Sequence, residues 1–524
     1  MGTYLNPGNS GFAEILTEKY IDKTGLIDVI NGTIGKKRKL TCVSRPRRFG
    51  KSYAAQMLCA YYDRTVDSHV LFERLKIAKT PDYREHLNHY DVIYIDMTNV
   101  MGKASSQSFV SFIENAVTEE LVAEYPDTRV RNGFDEILSS VVDQTGNRFI
   151  MIIDEWDAPV REYDDRAVND YLKFLRMLLK SSSTTAKNFA AVYMTGILPI
   201  KKIKTQSALS DFDEYTMLDP GDFAEYAGFT EEDVLGLCKQ YGVSFTEMKR
   251  WYDGYEMAGI GSVYNPNSVM KAVQKKRFNS YWTQSSAADN LLDFIKWDVA
   301  DLRKAIIELM GGVEIEIDTA GYDNDLYYDT RDGALTMFVH LGYLSYNQDT
   351  GTVHIPNEEI RLEFARTLRK ATNAETMKRV QESDRLIMDT IHGDEENVAA
   401  QIKRVHEESS SIINRNSEDS LRAAIQVAYF AYKDYYLKFE ELGTGEGFAD
   451  IVYLPKQGKG VPILLVELKW KKDAQTAIRQ IKTKGYAKGL EDYGSEMLLV
   501  GISYDKDSRE YACRIEKWER GNVS

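Results

Sequence analysis

The sequence predicts an α/β protein with a parallel sheet in its first half, a helical middle region and a second α/β domain at its end. Three observations predict it. Apolar, β-branched runs alternate with helical stretches as far as Pro220. A basic, glycine-containing loop, Arg45–Ser52, sits where one such run meets a helix. Near the end, two further apolar runs carry Asp450 and Glu467-Leu468-Lys469. Strands separated by helices require crossover connections, and crossovers cover both faces of a parallel sheet.

The elements follow in order. Lys39–Ser44 is a short apolar strand. Ser52–Tyr62 is a helix supported by Ala54, Ala55, Met57 and Leu58, all good helix formers. Asp91–Met97, Arg148–Asp154 and Ala190–Thr195 are buried strands, and Ser108–Ala123 is an amphipathic helix. Beyond Pro220 the pattern turns helical, with Thr230 as an N-cap before Glu231, Glu232 and Asp233. Strand-like runs return at Val313–Ile317 and Val353–Ile355, followed by long charged helices. The last strands are Asp450–Leu454, Ile463–Glu467 and Met497–Ile502, with a helix over Ala474–Leu490. The implied domains are 1–220, a helical lid or winged-helix-like region over 221–310, a mostly helical connection over 311–420, and 421–524.

Composition narrows the class. The chain has 524 residues, 43% of them hydrophobic and 28% charged, an ordinary globular balance in a chain too long for one core. Its longest apolar runs, such as Phe149–Ile153, fall far short of the ~20 residues of a membrane span. Met1–Gly11 has no basic start or apolar stretch, so a cytoplasmic location is expected. Cys42, Cys59, Cys238 and Cys513 are too scattered for a metal site and are expected to be reduced and buried. His69, His86 and His89 make no zinc set either. The net charge of −14 does not advertise nucleic-acid binding. Charge is uneven, however: residues 36–51 hold eight basic groups and no acid, and residues 421–524 sum to about +2.

Arg45-Pro46-Arg47-Arg48-Phe49-Gly50-Lys51-Ser52 follows a strand and opens a helix, the setting a phosphate-binding (Walker A) loop requires. A helix N-terminus offers unpaired N–H groups to an anion, and Gly50 lets the backbone come close. Lys51 suits the β- and γ-phosphates of ATP, and Ser52 suits Mg²⁺. Arg45 stands where the first glycine of G-x-x-x-x-G-K-[ST] belongs. Asp154 and Glu155 end the third strand, where an acid can hold Mg²⁺ and its neighbour can orient the attacking water. Thr195 ends the fourth strand, where a polar group can sense a γ-phosphate in ATPases with an inserted strand.

In the last domain Asp450 and Glu467 lie 17 positions apart, and Lys469 is two beyond Glu467. Residues i and i+2 of a strand share a face, so Glu467 and Lys469 lie together. Phosphodiester hydrolysis needs divalent ions held by oxygen ligands, a role suited to Asp450 and Glu467, with Lys469 beside the nucleophilic water. Glu441 is expected on the preceding helix or at its end, and Gly443, Gly445 and Gly447 lead to Asp450. Lys471, Lys472, Arg479, Lys482, Lys484 and Lys488 suit either a phosphate backbone or a solvated helix face.

These runs, with IIDEWDAP (152–159) and MTGILPIKK (194–202), resemble the AAA-ATPase-like family found widely in bacteria, many members of which end in a PD-(D/E)XK nuclease domain. WYDGY (251–255), YNPNS (264–268) and Tyr281-Trp282 resemble that family's middle region, and WYDGY is expected to serve aromatic packing. Gln480 and Tyr486 resemble the glutamine–tyrosine element of PD-(D/E)XK nucleases. The resemblance implies a P-loop NTPase with an inserted strand, a helical middle and a restriction-nuclease-like tail. It also implies a P-loop that tolerates the missing first glycine. The expected ligands are ATP and Mg²⁺. The expected partner is nucleic acid, DNA before RNA, with homo-oligomerisation left open. An ATP-regulated, metal-dependent nuclease is one outcome. A nucleotide-switched binding or signalling NTPase with an inactive nuclease fold is the alternative.

Overall fold

The computed structural model describes residues 2–128, 133–180, 182–200, 209, 211–282, 302–319, 330–370, 374–409, 418–443, 448–456, 460–487, 490 and 496–518. The chain forms two compact units, one of residues 1–284 with 316–360, the other of residues 285–315 with 361–524.

Unit 1 is built on a five-stranded sheet of β1 (Leu40–Ser44), β2 (Asp91–Asp96), β3 (Phe149–Asp154), β4 (Phe189–Gly196) and β5 (Asp213–Tyr215). The order is β2-β3-β4-β1-β5, and every pair is parallel. β4 is therefore inserted between the strand leading into Arg45–Ser52 and the strand ending in Asp154, as expected. The inner strands β3 and β4 are almost wholly apolar because both of their faces are covered. Ile93, Ile95, Met151, Ile153, Val192 and Met194 face the helices Phe109–Glu124, Phe134–Thr145 and Asp165–Leu179. Val92, Ile150, Ile152, Ala191 and Tyr193 face the helix Lys51–Tyr62. This alternation follows from the two-residue period of a strand.

The middle of unit 1 is less helical than the sequence implies. Helices Glu231–Tyr241, Phe245–Tyr252 and Pro266–Lys275 surround a small antiparallel sheet of β6 (Phe229–Thr230), β7 (Tyr255–Met257) and β8 (Gly261–Tyr264), ordered β6-β8-β7. Strands of two to four residues are too short to show a period. The N-cap expected at Thr230 is present as a capping box, with Asp233 returning a bond to the Thr230 backbone. A short strand β9 (Ile315–Glu316) lies where the chain returns to unit 1, and a hairpin, β10 (Ser345–Asn347) and β11 (Thr352–His354), follows the helix Arg331–Leu341.

Unit 2 holds a second five-stranded sheet in sequential order: β12 (Tyr436–Gly443), β13 (Phe448–Pro455), β14 (Ile463–Trp470), β15 (Met497–Asp505) and β16 (Glu510–Lys517). Only β14 and β15 pair in parallel. Their crossover contains the helix Ala474–Thr483, capped by Asp473. Gly501 lies so close to Ala474 that an added Cβ would meet its carbonyl. This helix covers Val452, Ile463, Leu465 and Leu499, while the opposite face packs under Ala374–His392, Glu395–Ser409 and Glu418–Ala428. All four cysteines are buried. No helix among the described residues is long and apolar enough to cross a membrane.

Candidate functional site

The loop Arg45–Ser52 lies at the C-terminal end of the unit 1 sheet, where Asp96, Asp154 and Thr195 also align across β2, β3 and β4. Ligands of open α/β sheets bind at these strand ends. Gly50 sits at φ +87° with open space around its missing side chain. Arg48 also has a positive φ, +70°. Such conformations turn successive N–H groups toward one point and create an anion-binding concavity.

Lys51 opens the helix and is almost wholly buried. Its Nζ donates to the carbonyls of Arg45 (3.1 Å) and Pro46 (3.0 Å) and stands 3.8 Å from Glu155 Oε1. Burial pulls the Lys51 ammonium below the usual lysine range. Ser52 is exposed, and its side chain lies beside the buried Asp154 carboxylate and favours its ionised form. Burial, opposed by Ser52, raises Asp154 to about 6. Thr195 Oγ1 is buried without a protein partner beside this register. A hydroxyl beside an under-neutralised carboxylate is a hard-oxygen pair of the kind Mg²⁺ takes, so Ser52 and Asp154 fit that ion.

Three predicted residues behave otherwise than their sequence position suggests. Arg45 points inward and is fully buried. Its Nη1 donates to the Ser44 and Tyr215 carbonyls at 2.9 and 3.0 Å, tying β1 to β5. Burial lowers the guanidinium to about 10. Phe49 is buried against Tyr255. Arg47 offers its carbonyl to Asn265. Each of these positions the loop through its packing or its backbone.

Glu155 has φ +52° and pairs with Arg161 Nη2 at 2.9 Å. Arg161 Nε reaches Asp157 at 2.9 Å, and Asp157 also accepts the N–H groups of Ile197 and Leu198 just beyond β4. Asp157 and Arg161 carry no distinctive site signal in the sequence. Their i, i+4 spacing was the available signal, but it is common on any helix.

In unit 2, Glu467 and Lys469 share the β14 face that carries Ile463 and Leu465, under the helix bearing Gln480. Lys469 Nζ donates to Glu467 Oε1 at 3.0 Å, and Gln480 Nε2 donates to the same oxygen. The β13–β14 ladder ends at Ile451 and Val466. Past that point Asp450 Oδ2 accepts the Leu468 N–H (2.8 Å), and its Oδ1 accepts Arg422 Nη2 (3.0 Å). Glu467 Oε2 is buried without a partner. Burial and, after it, the Asp450 charge push Glu467 up to about 7. The orphaned oxygen and paired acids fit a divalent ion, although among the described residues no group of three His, Cys, Asp or Glu forms a metal cluster.

Glu441 corrects an expectation. It belongs to β12, not to a helix, and its side chain lies outside the described residues. Gly445, Gly447 and Lys488 lie outside them too. Tyr486 is buried in the core beneath Ile478 and Ile481. Lys482 is engaged with Glu516 at 2.6 Å, the solvated-face alternative.

Residues 7–205 match the AAA-ATPase-like family, described as a predicted AAA-ATPase, and residues 418–513 match the PD-(D/E)XK nuclease superfamily. The chain thus combines an N-terminal AAA-ATPase-like domain with a C-terminal PD-(D/E)XK nuclease-superfamily domain. It is 26% identical over 290 residues to an uncharacterized protein in the vnfD 5′ region of Azotobacter chroococcum mcd 1. That match spans 53% of this chain and about half, 52%, of the relative. Among solved structures, the Walker-type ATPase of Pyrococcus abyssi is similar at TM-score 0.32 and 12% identity, over 66% of this chain and 94% of that one. The ORC2 protein of Aeropyrum pernix in its ADPNP–ADP complexes is similar at TM-score 0.30 and 13% identity, over 67% and 96%.

Proposed function

We propose that this chain is a nucleotide-switched protein in which the AAA-ATPase-like domain binds and hydrolyses ATP with Mg²⁺ and the nuclease fold serves as an interaction module. The observation that carries the nucleotide half is Gly50-Lys51-Ser52 at a helix start, with Lys51 buried against the loop carbonyls and Ser52 beside Asp154. The N–H groups of the helix start hold phosphate oxygens. Lys51 exchanges its two loop carbonyls for the β- and γ-phosphates, Ser52 and Asp154 hold the metal, Thr195 contacts the γ-phosphate, and Glu155 orients water. Bound Mg²⁺ neutralises phosphate charge. Calorimetric titration with MgATP tests this: binding by wild type and its loss in Lys51→Ala are expected, and equal affinity in both refutes the site.

The module assignment for the tail rests on its committed acids: both Asp450 oxygens and Glu467 Oε1 already accept protein donors. Nucleic acid, DNA before RNA, is the proposed partner, met by the basic helix and turn near Lys471 and Lys472.

The orphaned Glu467 Oε2 favours a second reading, metal-dependent phosphodiester hydrolysis. There Asp450 and Glu467, joined by Glu441, bind the ion, Lys469 orients water and Gln480 holds Glu467. Incubation with Mg²⁺ or Mn²⁺ and DNA or RNA separates the two. Cleavage that disappears in Glu467→Ala and Lys469→Ala establishes hydrolysis, whereas retention of nucleic acid without cleavage establishes the module.

A further inference from the structure

The middle-region motifs at 251–255, 264–268 and 281–282 meet the outer side of the phosphate loop, all within unit 1. Phe49 lies edge-on against Tyr255, with ring centroids 5.2 Å apart and planes at 88°. Phe49 also stands 3.3 Å from where a Cβ on Gly228 would lie. Three residues before Phe49, Pro46 Cβ comes within 2.7 Å of where Gly342 would carry a Cβ, and Trp282 Cη2 within 2.8 Å of the same point. Gly342 has φ +83°, so both its backbone and its surroundings exclude a side chain. The Tyr255 hydroxyl donates to the Gly342 carbonyl at 2.9 Å and joins the two contacts. Between them, Asn265 Nδ2 donates to the Arg47 carbonyl at 3.4 Å while Asn265 Oδ1 caps the helix Pro266–Lys275.

Pro46, Arg47 and Phe49 are thus each held from outside the loop. The sequence makes this necessary. A loop that begins with glycine takes its tight turn from that residue's own freedom. Here that position is Arg45, tied to β5, followed by Pro46 with its fixed φ. Close-packed contacts transmit displacement rather than absorbing it.

We infer that Tyr255, Asn265 and Gly342 are positioning residues for the phosphate loop, and that with Trp282 they register whether the loop holds a nucleotide. The inference rests on the nucleotide-binding reading above. It assigns the middle-region motifs a task beyond core packing: they impose the curvature that the missing first glycine does not supply.

The test uses the full chain, MgATP as probe, calorimetry for affinity and tryptophan emission for the loop environment. Circular dichroism checks that each variant is folded. Wild type is expected to show a saturable emission change whose midpoint matches the calorimetric Kd, and Trp282→Phe abolishes that change. Gly342→Ala drives a methyl into Pro46, and Tyr255→Leu removes the ring; both are expected to weaken binding roughly ten- to a hundredfold, the scale of a misplacement near 1 Å. Tyr255→Phe restores most of the affinity. Asn265→Asp keeps the helix cap, removes the donor to Arg47 and weakens binding about threefold. Should Gly342→Ala fail to fold, Tyr255→Leu and Asn265→Asp decide. Unchanged affinity in the folded variants overturns the inference while wild-type binding leaves the nucleotide reading intact. An emission change that survives Trp282→Phe overturns the registering role. Wild type that binds no MgATP overturns both readings together.

Discussion

Asp154 in unit 1 and Glu467 in unit 2 are both buried carboxylates on β-strands, pushed up to about 6 and about 7, yet their neighbours differ in charge. Asp154 lies beside the neutral Ser52 side chain, and the nearby Lys51 ammonium spends its hydrogen bonds on loop carbonyls. Glu467 has Lys469 at 3.0 Å, and Asp450 has Arg422 at 3.0 Å, so two acids already hold two cations. A buried charge is tolerated only when paired. The first site therefore gains from an incoming metal–nucleotide pair. At the second, a divalent ion must compete with Arg422, Lys469 and the proton that Glu467 holds near neutral pH. This contrast is why the tail reads first as a module and second as a nuclease.

The largest effect expected from breaking this comparison is in Glu155→Gln. ATP turnover should fall by about 10²–10⁴-fold with nucleotide affinity retained, because a positioned base is lost and the phosphate contacts are not. Steady-state hydrolysis beside calorimetry checks it, and parallel loss of binding would move Glu155 from chemistry to structure. Next comes Lys51→Ala, for which MgATP affinity should drop about a hundredfold, near 2.7 kcal/mol. Glu467→Ala should leave that affinity unchanged.

pH sharpens the contrast. Asp154 must be ionised to hold a metal, so MgATP affinity should decline as pH falls through about 6. Manganese binding by the tail should decline earlier, as pH falls through about 7. Stability has the opposite sign. Both folded pKa values are raised above the ordinary carboxylate range, so each group's contribution is fully present below that range and is lost as pH rises through about 6 or about 7. Glu467→Gln should accordingly stabilise the protein at pH 8 by about 1–3 kcal/mol, measured by urea unfolding, with little effect at pH 4. Destabilisation at pH 8 would mean that the Lys469 pair outweighs burial. The smallest effect is in Arg422→Ala, where release of Asp450 should raise Mn²⁺ affinity by only about threefold, since a partly exposed ion pair is weak.

Much of the frame was legible in the sequence. β1 to β4 lie within a residue or two of their expected bounds because strands buried on both faces are continuous apolar runs. The edge strands were not legible. β5 is three partly exposed residues, Asp213–Tyr215, and β12 and β16 mix lysine, glutamate and aromatics. Missing β12 put Glu441 on a helix. The inserted strand followed from the family resemblance, whereas the small β6–β8–β7 sheet followed from no period at all.

By itself the sequence determined the strand–loop–helix around Gly50 and Lys51, the acids closing β3, the shared face of Glu467 and Lys469, and the cap at Thr230. All of these are set by near neighbours, through backbone freedom, helix ends and strand period. Only the tertiary structure decided that Arg45 turns inward to Tyr215, 170 positions away, and that Arg422 takes Asp450 from 28 positions away. It also decided that Tyr255 and Gly342 support Phe49 and Pro46. Which charge a buried acid meets, and what braces a loop lacking its glycine, depend on groups that only folding brings within a few ångströms, and both sites take their character from those groups.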